Sequence, residues 1–508
     1  MKRKTIKDVA VLTVMQLFLD SSALLLNVFI ARKLGTSATG ILSLMGSFLG
    51  LAGIVSNGNA FLCTSRLISE ELGRKNGNPN KILFHGIKLC MCMSLIVSGV
   101  ITAFADTISS KFFSGADMST AVKLMPFALV TGAVSACIKG YFNAVRKTSV
   151  TAVGDVLEFA VKATVIILLT FFSASTDEHT VCRIMIESII AGNIFSMIFF
   201  ISAYIKLHIR CTGEGSISFR KYASFAFPIM WGGILTSVLG SANDALIPVC
   251  LKQYGDSVSE ALSLFGIFEA IVMPVLFFPS VVLCSVSGII VSESARAKSA
   301  ENTERIKSLT LRIIQMTLIY AVFASAVLMR FGVSLGKILG GGETAGKMIM
   351  IISPVVPFIY LEIVLEALIK GMGLQTFSSL NYLAEYVIRI SAVLIFVPHI
   401  GFSGIAVSYY ASNIFGNTMR MIKILRFTGV KLGFFSSVVM PMVYAFLTMG
   451  TAELLFRPFG ISESIPFMII FTLLWGAGYM GIFIIFGKIS LDFSENKTRV
   501  VQNRQIIT

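Results

Sequence analysis

Long apolar runs alternate with short polar gaps along the whole chain. A membrane-spanning helix needs about 20 mostly apolar residues, and about fourteen runs satisfy this length. The gaps between the runs leave no room for a soluble domain. The predicted spans are residues 9–31, 40–63, 82–105, 121–145, 149–172, 182–205, 222–250, 258–290, 308–330, 347–371, 378–398, 403–425, 434–456 and 464–487.

Composition indicates that lipid is the solvent of this chain. Of the 508 residues, 55% are hydrophobic and only 14% are charged, whereas soluble domains carry roughly 25% charged residues. The net charge of +15 arises largely from Lys and Arg in the short gaps, which is the pattern of cytoplasmic loops rather than of a nucleic-acid groove. We therefore predict an all-α integral membrane protein of the bacterial cytoplasmic membrane, with both termini in the cytoplasm.

Nothing in the sequence predicts a cofactor. The four His and eight Cys residues are scattered and form no C-x-x-C pair, so neither a metal site nor a disulfide framework is expected. The run Gly341 to Lys347 resembles a phosphate-binding loop. However, Met348 follows where Ser or Thr should bind magnesium, and no strand precedes the run. If a protein of this kind moves a substrate across the membrane without a nucleotide, the driving force must be an ion gradient, the membrane potential or the gradient of the substrate itself.

The chain repeats a short pattern in its second half. Lys139-Gly140 precedes Glu158 and Lys162 on the fifth predicted span, and Lys370-Gly371 precedes Glu385 and Arg389 on the eleventh. Six spans separate the copies, which is an even number, so both copies have the same orientation. We predict two six-helix lobes, 1–218 and 219–430, related by an axis along the membrane normal. Residues 431–508 would then form two additional helices and a cytoplasmic tail.

Charged side chains within the spans are the strongest functional signal. A charge at the centre of a spanning helix costs about 2.5–3.5 kcal/mol on insertion scales, so each should contact a partner or a wet cavity. Asp20 lies in the middle of the first span with no basic residue one turn away, and it either lines a cavity or packs through Ser21 and Ser22. Asp244, beside Asn243 on the seventh span, likewise either lines a cavity or packs between helices, although it could lie nearer the membrane–water interface.

Two acids lie four residues before a basic residue on the same helix. Glu158 with Lys162 and Glu385 with Arg389 are pairs in the favourable acid-first order. Each is either a neutralised pair that lets the helix insert or a contact with substrate.

The remaining intramembrane acids lie on the tenth and eighth spans. Glu362, Glu366 and Lys370 form one stripe on the tenth span, where two acids share one cation and a carboxylate could carry a proton. Glu269 on the eighth span is a similar but more isolated case.

Several motifs, in their order and spacing, point to a family. They are Ala31-Arg32-Lys33-Leu34-Gly35 with Gly40, Ser65-Arg66-Leu67-Ile68-Ser69-Glu70, Lys139-Gly140-Tyr141-Phe142, Thr151-Ala152 and Glu158. Over residues 1–430 the chain resembles the multidrug/oligosaccharidyl-lipid/polysaccharide (MOP) exporter superfamily. It is similar to the polysaccharide-biosynthesis, stage V sporulation protein B-like branch, whose members resemble lipid II flippases. The resemblance implies two lobes around a central cavity, alternating access and a polyprenyl-diphosphate-linked glycan as substrate.

The resemblance has two consequences for the site. Relatives in this branch carry Lys or Arg on the first helix, where this chain has Asp20 and Asn27, which counts against the family's usual substrate. Some relatives bind a cation among acidic side chains of the second lobe. Asp244, with Asn381 and Glu385 one turn apart on the eleventh span, would supply the oxygen ligands that a hard cation prefers. Arg389, one turn further along, would compete for Glu385.

We therefore expect a flippase that translocates a lipid-linked oligosaccharide or cell-envelope polysaccharide precursor, with membrane lipid and that glycan as its partners. One alternative is a cation-coupled exporter of small amphiphiles or drugs, against which fourteen rather than twelve spans argue. The other is a membrane enzyme such as a polymerase of lipid-linked glycans. Its expected large extracytoplasmic loop is missing from the sequence, and we predict no enzymatic activity, no nucleic acid and no nucleotide.

Overall fold

The computed structural model describes residues 2–72, 78–112, 118–173, 178–208, 217–299, 301–433, 435–457 and 464–505. Throughout these ranges the backbone is helical with short connections and contains no β-strand. Side chains are described in the same ranges except at 2–13, 111, 148, 178–179, 228–229, 288, 292, 299 and 486–505.

Nineteen α-helices make up these described ranges. In chain order they are α1 (Lys2–Lys33), α2 (Thr36–Asn57), α3 (Ala60–Leu72), α4 (Pro79–Ala103), α5 (Ala105–Phe112), α6 (Ser119–Ala144), α7 (Thr148–Phe172), α8 (Glu178–Leu207), α9 (Phe219–Tyr254), α10 (Val258–Ile267), α11 (Met273–Phe277), α12 (Val281–Ser299), α13 (Thr303–Ile338), α14 (Gly342–Ile352), α15 (Val356–Gly371), α16 (Gln375–Ile400), α17 (Phe402–Thr428), α18 (Met440–Phe456) and α19 (Ile465–Gln505). Short π or 3-10 segments join α10 to α11, α11 to α12 and α14 to α15.

Local sequence explains where several helices begin and end. Asn78 caps α4 by accepting a hydrogen bond from the Lys81 backbone N–H, and Pro79 occupies the first helical position, where no N–H is needed. Ser257 and Glu260 form a reciprocal capping box at the start of α10. At the other end of a helix, α2 stops at Gly58, whose positive φ of 59° suits glycine.

The predicted fold class is confirmed. When the segments joined without a gap are taken together, the described residues contain fourteen long helices at the positions of the predicted spans. Twelve of them are long and apolar enough to cross a membrane, judged by length and composition. The other two are α7 and α17. The first carries Asp155, Glu158 and Lys162, and the second carries Arg420 among amide and hydroxyl side chains. Both therefore bring polar groups into the helix bundle.

Contacts between helices recur along the chain. α1 packs against α7 and α7 against α8, and six spans later α9 packs against α16 and α16 against α17. We call α1 to α8 the first group of helices, or first half, and α9 to α17 the second group, or second half. α2 of the first group also contacts α9 and α10 of the second. The division into lobes at 1–218 and 219–430 stays a prediction.

The last two helices pack on the outside of α13. Trp475 of α19 is buried and donates its indole N–H to the Ala445 carbonyl and to Thr448 Oγ1 of α18, at 3.0 Å each. Tyr479 donates to the Ile319 carbonyl of α13 at 3.0 Å. These bonds satisfy polar atoms that lipid could not, so they fix both helices against α13.

The two groups of helices touch at both ends of the bundle. At the end predicted to face outside, Thr36 forms a hydrogen bond with Ser263, and Gly40 packs directly against the backbone of α10 at Leu262. At the end predicted to face the cytoplasm, the Thr64 and Tyr222 hydroxyls lie 2.8 Å apart. The close crossing at Gly40 requires a residue without a side chain, as is common where membrane helices approach closely.

We predict that Gly40→Ala destabilises the protein by about 1–3 kcal/mol, because the new methyl group would collide with the Leu262 carbonyl oxygen and force α2 and α10 apart. Gly50→Ala on the same helix is the matched control, since its methyl group would meet nothing within 4 Å. Thermal unfolding of the purified proteins in detergent measures the difference. Equal melting temperatures for the two variants would show that this crossing does not need glycine.

Candidate functional site

A large cavity lies between the first helix and the interrupted eighth span. It has a volume of about 830 Å³, and we call it the α1–α12 cavity. Its described lining residues are Gln16, Asp20, Ala23, Leu24, Asn27, Pro274, Phe277, Phe278, Ser280, Val281, Cys284, Ser285 and Ser287. A mainly apolar wall with a few polar groups at membrane depth is the composition expected of a ligand site.

The eighth span is irregular where it borders this cavity. A π-helical segment, Phe268–Val272, is followed by Pro274, which has no N–H to donate to the Ala270 carbonyl. Asn27 of α1 replaces the missing donor, with its side-chain nitrogen 3.1 Å from the Ala270 oxygen. Asn27, predicted as a binding residue, therefore lines the cavity and also supports the interrupted helix. Interruptions of this kind are tolerated in a membrane only where protein or a wet cavity satisfies the backbone.

Asp20 lines the same cavity, and its predicted role in transport stays a prediction. Gln16, one turn earlier, donates its amide N–H to Asp20 Oδ1 at 2.9 Å. No Lys or Arg occurs among the described lining residues. The carboxylate thus has a neutral neighbour in place of the counter-ion that most intramembrane acids require.

The second half contains a buried network of ion pairs centred on Arg420. This side chain is completely buried on α17 and reaches three carboxylates of α15 and α16. Its nitrogens lie 3.3 Å from Glu362, 2.9 Å from Glu366 and 2.9 Å from Glu385. The first two contacts are aligned hydrogen bonds, whereas Glu385 Oε2 and Arg420 Nη1 are close ions without hydrogen-bond alignment. The Tyr382 ring covers the guanidinium at 4.5 Å from its centre.

Other basic residues complete this network. Arg389 lies 3.3 Å from the second oxygen of Glu385, donates to Ser412 at 3.0 Å and packs over the Tyr409 ring. Lys370, at the helix end, lies 3.8 Å from Glu366. The predicted Glu385–Arg389 pair and the Glu366–Lys370 contact are therefore both formed.

The cation site expected from the resemblance is occupied by arginine. Both oxygens of Glu385 face guanidinium groups, and Asn381 donates its amide to the Gly416 carbonyl at 3.0 Å. Asp244 instead accepts hydrogen bonds from Ser47 of α2 at 2.7 Å and from Asn243. Within the described part of the chain, no three His, Cys, Asp or Glu side chains are grouped so that they could hold a metal ion.

Asp244 and Glu269 lie within the seventh and eighth predicted spans and have no basic partner among the described residues. Neither carboxylate lies within 4.0 Å of a described Lys or Arg nitrogen, although both are within electrostatic range of Arg389 and of each other. Glu269 belongs to the π-helical segment. The two carboxylates differ in their lack of a basic partner from Glu385, whose two oxygens both face guanidinium groups.

The first half has its own ion pairs, and one prediction needs correction there. Glu158 pairs with Lys139 of α6 at 3.3 Å, and Lys139 also lies 2.6 Å from Asp155. The predicted partner, Lys162, makes no ion pair within 4.0 Å among the described residues. The acid-first spacing was present, but a lysine on a neighbouring helix reaches Glu158 first. A cavity of about 310 Å³ lies beside this pair.

An apolar groove of about 520 Å³ lies between the additional helices and the second half. Its walls come from α13, α15, α18 and α19 and include Met329, Pro357, Phe446 and Trp475. The Arg330–Glu453 ion pair, at 2.8 Å, joins α13 to α18 next to the groove. The surface suits a hydrocarbon chain.

Sequence reasoning missed the main residue of the larger network. Arg420 lies near the end of the twelfth span that is predicted to face the cytoplasm, where a basic residue normally indicates the membrane interface. The signal that could have identified it was the excess of acids over cations on the tenth span, which requires a partner from another helix.

The sequence comparisons agree with this architecture. The family described as polysaccharide biosynthesis protein matches residues 5–291, which is more than half of the chain. The chain belongs to the polysaccharide biosynthesis protein family. Stage V sporulation protein B of Bacillus subtilis (strain 168) is 20% identical over 395 residues, covering 75% of this chain and 76% of that protein.

Solved structures share the fold. Lipid II flippase MurJ in an inward closed conformation matches with a TM-score of 0.68 and 14% identity, covering 95% of this chain and 100% of that chain. An inward-facing multidrug resistance MATE family transporter of the MOP superfamily matches with a TM-score of 0.60 and 15% identity, covering 81% and 94%. The fold is therefore that of the MOP superfamily transporters, and the resemblance stated from the motifs is confirmed.

We predict that Arg420→Met costs about 3–5 kcal/mol of stability, because it leaves buried carboxylates without their shared counter-ion. Arg66→Met is the control, since Arg66 is exposed and its ion pair with Glu70 is worth about 1 kcal/mol or less. Thermal unfolding in detergent compares the two. Arg420→Lys should be intermediate, because a lysine keeps the charge but cannot reach three carboxylates at once. A melting temperature for Arg420→Met that matches the Arg66→Met value would exclude this role.

Proposed function

We propose that this protein is a flippase that moves a lipid-linked oligosaccharide or cell-envelope polysaccharide precursor across the bacterial cytoplasmic membrane. The observation that carries the proposal is the α1–α12 cavity, which places polar side chains at membrane depth beside an interrupted helix. Membership of the polysaccharide biosynthesis protein family supports the glycan as cargo. The names of the relatives, a sporulation protein and a lipid II flippase, point the same way.

The proposed mechanism is alternating access without enzymatic chemistry. The two groups of helices would rock about the cavity, opening the Thr36–Ser263 contact at one end and the Thr64–Tyr222 contact at the other. Both termini would lie in the cytoplasm. The polar head of the cargo would occupy the cavity, while the lipid tail stays in the bilayer or along the groove lined by Phe446 and Trp475.

Export of small amphiphiles is the second candidate function. The MATE family structure shares the fold, and the cavity carries an acidic group instead of a basic one. The two additional helices and their apolar groove favour a cargo with a long lipid chain.

The direct test is flipping in proteoliposomes that contain the purified protein and a fluorescent lipid-linked oligosaccharide. We expect the fraction of probe that external reagent can reach to change at least tenfold faster than in protein-free vesicles. Gly40→Ala, which disturbs the contact that must open and close, should slow the exchange. If the probe flips no faster in vesicles with the protein than in protein-free vesicles, the proposal is refuted. If only a single-chain amphiphile moves faster in the presence of the protein, the second candidate function is favoured.

Coupling to an ion gradient gives a further prediction. An imposed proton or sodium gradient should accelerate flipping by the unaltered protein. Glu269→Gln should abolish that acceleration without reducing the melting temperature, because Glu269 has no ion pair to lose among the described residues. Glu385→Gln should instead lower the melting temperature, because Glu385 pairs with two arginines. Equal flipping rates with and without each gradient would show that Glu269 and Glu385 have a structural role alone.

A further inference from the structure

Most polar side chains of the α1–α12 cavity already donate a hydrogen bond within the protein. The hydroxyls of Ser280, Ser285 and Ser287 each donate to a backbone carbonyl of their own helix, at 2.7–2.8 Å. Gln16 gives an N–H to Asp20, and Asn27 gives one to the Ala270 carbonyl. A hydroxyl whose hydrogen is engaged offers only its lone pairs to a ligand. Gln16 and Asn27 each keep one further N–H, so the oxygen acceptors of these five groups and Asp20 outnumber the two amide donors that remain.

The helix interruption adds to this bias. Pro279, like Pro274, has no N–H, so it cannot donate to the carbonyl one turn earlier. Tyr360 and Tyr320 donate to the Leu276 and Pro279 carbonyls at 2.8 and 2.6 Å, from the side of the helix packed against α13 and α15. Each proline therefore leaves the backbone of the interrupted helix with one donor fewer for its carbonyl acceptors.

The carboxylate of this cavity lacks the basic partner that the glutamates of the ion-pair networks have. Buried Glu366 and Glu385 have arginine partners, and Glu158 has Lys139. Asp20 has only the amide of Gln16, and no cation occurs among the described lining residues. A carboxylate within a membrane span without a counter-ion attracts a positive ligand and repels a negative one.

We propose that the α1–α12 cavity binds a cargo head group that carries a primary ammonium group beside hydroxyls, as an amino sugar does. The ammonium would pair with Asp20, and its N–H donors and the sugar hydroxyls would meet the serine and amide acceptors. This inference rests on the proposed function and specifies its cargo as a lipid-linked precursor with a free amine. A phosphate group of such a lipid would stay outside the cavity, because nothing described in the lining would neutralise it.

The test uses three single-chain probes with the same fluorophore and the same alkyl chain, which end in a primary amine, a glucoside or a phosphate. Binding to the purified protein in lipid nanodiscs is measured by fluorescence anisotropy. We expect the amine probe to bind at least tenfold more tightly than the glucoside and the phosphate probe to bind most weakly. Asp20→Asn should remove the tenfold advantage of the amine while leaving glucoside binding unchanged.

Two further variants sharpen the result. Gln16→Lys places a cation one turn from Asp20 and should weaken the amine probe and strengthen the phosphate probe. Asp106→Asn is the control, because that carboxylate is exposed, pairs with Lys123 and lies outside the cavity lining. Its three binding constants should equal those of the unaltered protein. Size-exclusion profiles confirm that each variant is folded.

Three outcomes would overturn the inference. They are tighter binding of the phosphate probe than of the amine, an amine advantage that survives Asp20→Asn in a folded protein, and displacement of the amine probe by millimolar sodium, which would assign Asp20 to an inorganic cation. Each can occur while the protein still flips a lipid-linked oligosaccharide. Conversely, amine-selective binding without glycolipid flipping would leave the cavity chemistry intact and refute only the proposed function.

Discussion

The completely buried guanidinium of Arg420 is the interaction on which the second half of the structure depends. Hydrocarbon cannot solvate a charge, so three glutamates on α15 and α16 require a cation from within the protein. A planar group with several donors can serve all three, which a lysine could not do. By meeting carboxylates from two helices, Arg420 fixes α15, α16 and α17 relative to one another, and Gly416 leaves the space that these side chains occupy.

The same constraint divides the acids within the spans into two groups. Carboxylates that meet a guanidinium or a lysine, such as Glu385 and Glu158, are already neutralised and hold helices together. Other carboxylates, which among the described residues include Asp20, Asp244 and Glu269, have no basic residue to neutralise their charge. A ligand, a proton or a cation could do so. Pairing therefore distinguishes two groups of residues that look alike in the sequence.

The interrupted eighth span shows how a membrane protein can build a polar site from backbone. Pro274 deprives the Ala270 carbonyl of its usual donor, and Asn27 of α1 supplies a substitute. The contact couples the first helix to the interruption, so a movement of α1 would change the hydrogen bonding of the eighth span. The cavity lies between these two elements, and its opening would then depend on both.

The sequence by itself determined the class of the protein. Apolar runs of spanning length, Pro and Gly at helix ends and the order of the family motifs predicted the helices and the superfamily, because these features depend on neighbours in the chain and on the solvent. It also located Asp20, Asn27 and the acids of the second half. Only the tertiary structure decided the partners: Lys139 rather than Lys162 for Glu158, and Arg420 for Glu362, Glu366 and Glu385. Ion pairs between helices depend on which faces meet, and the spacing of residues along one helix carries no record of that.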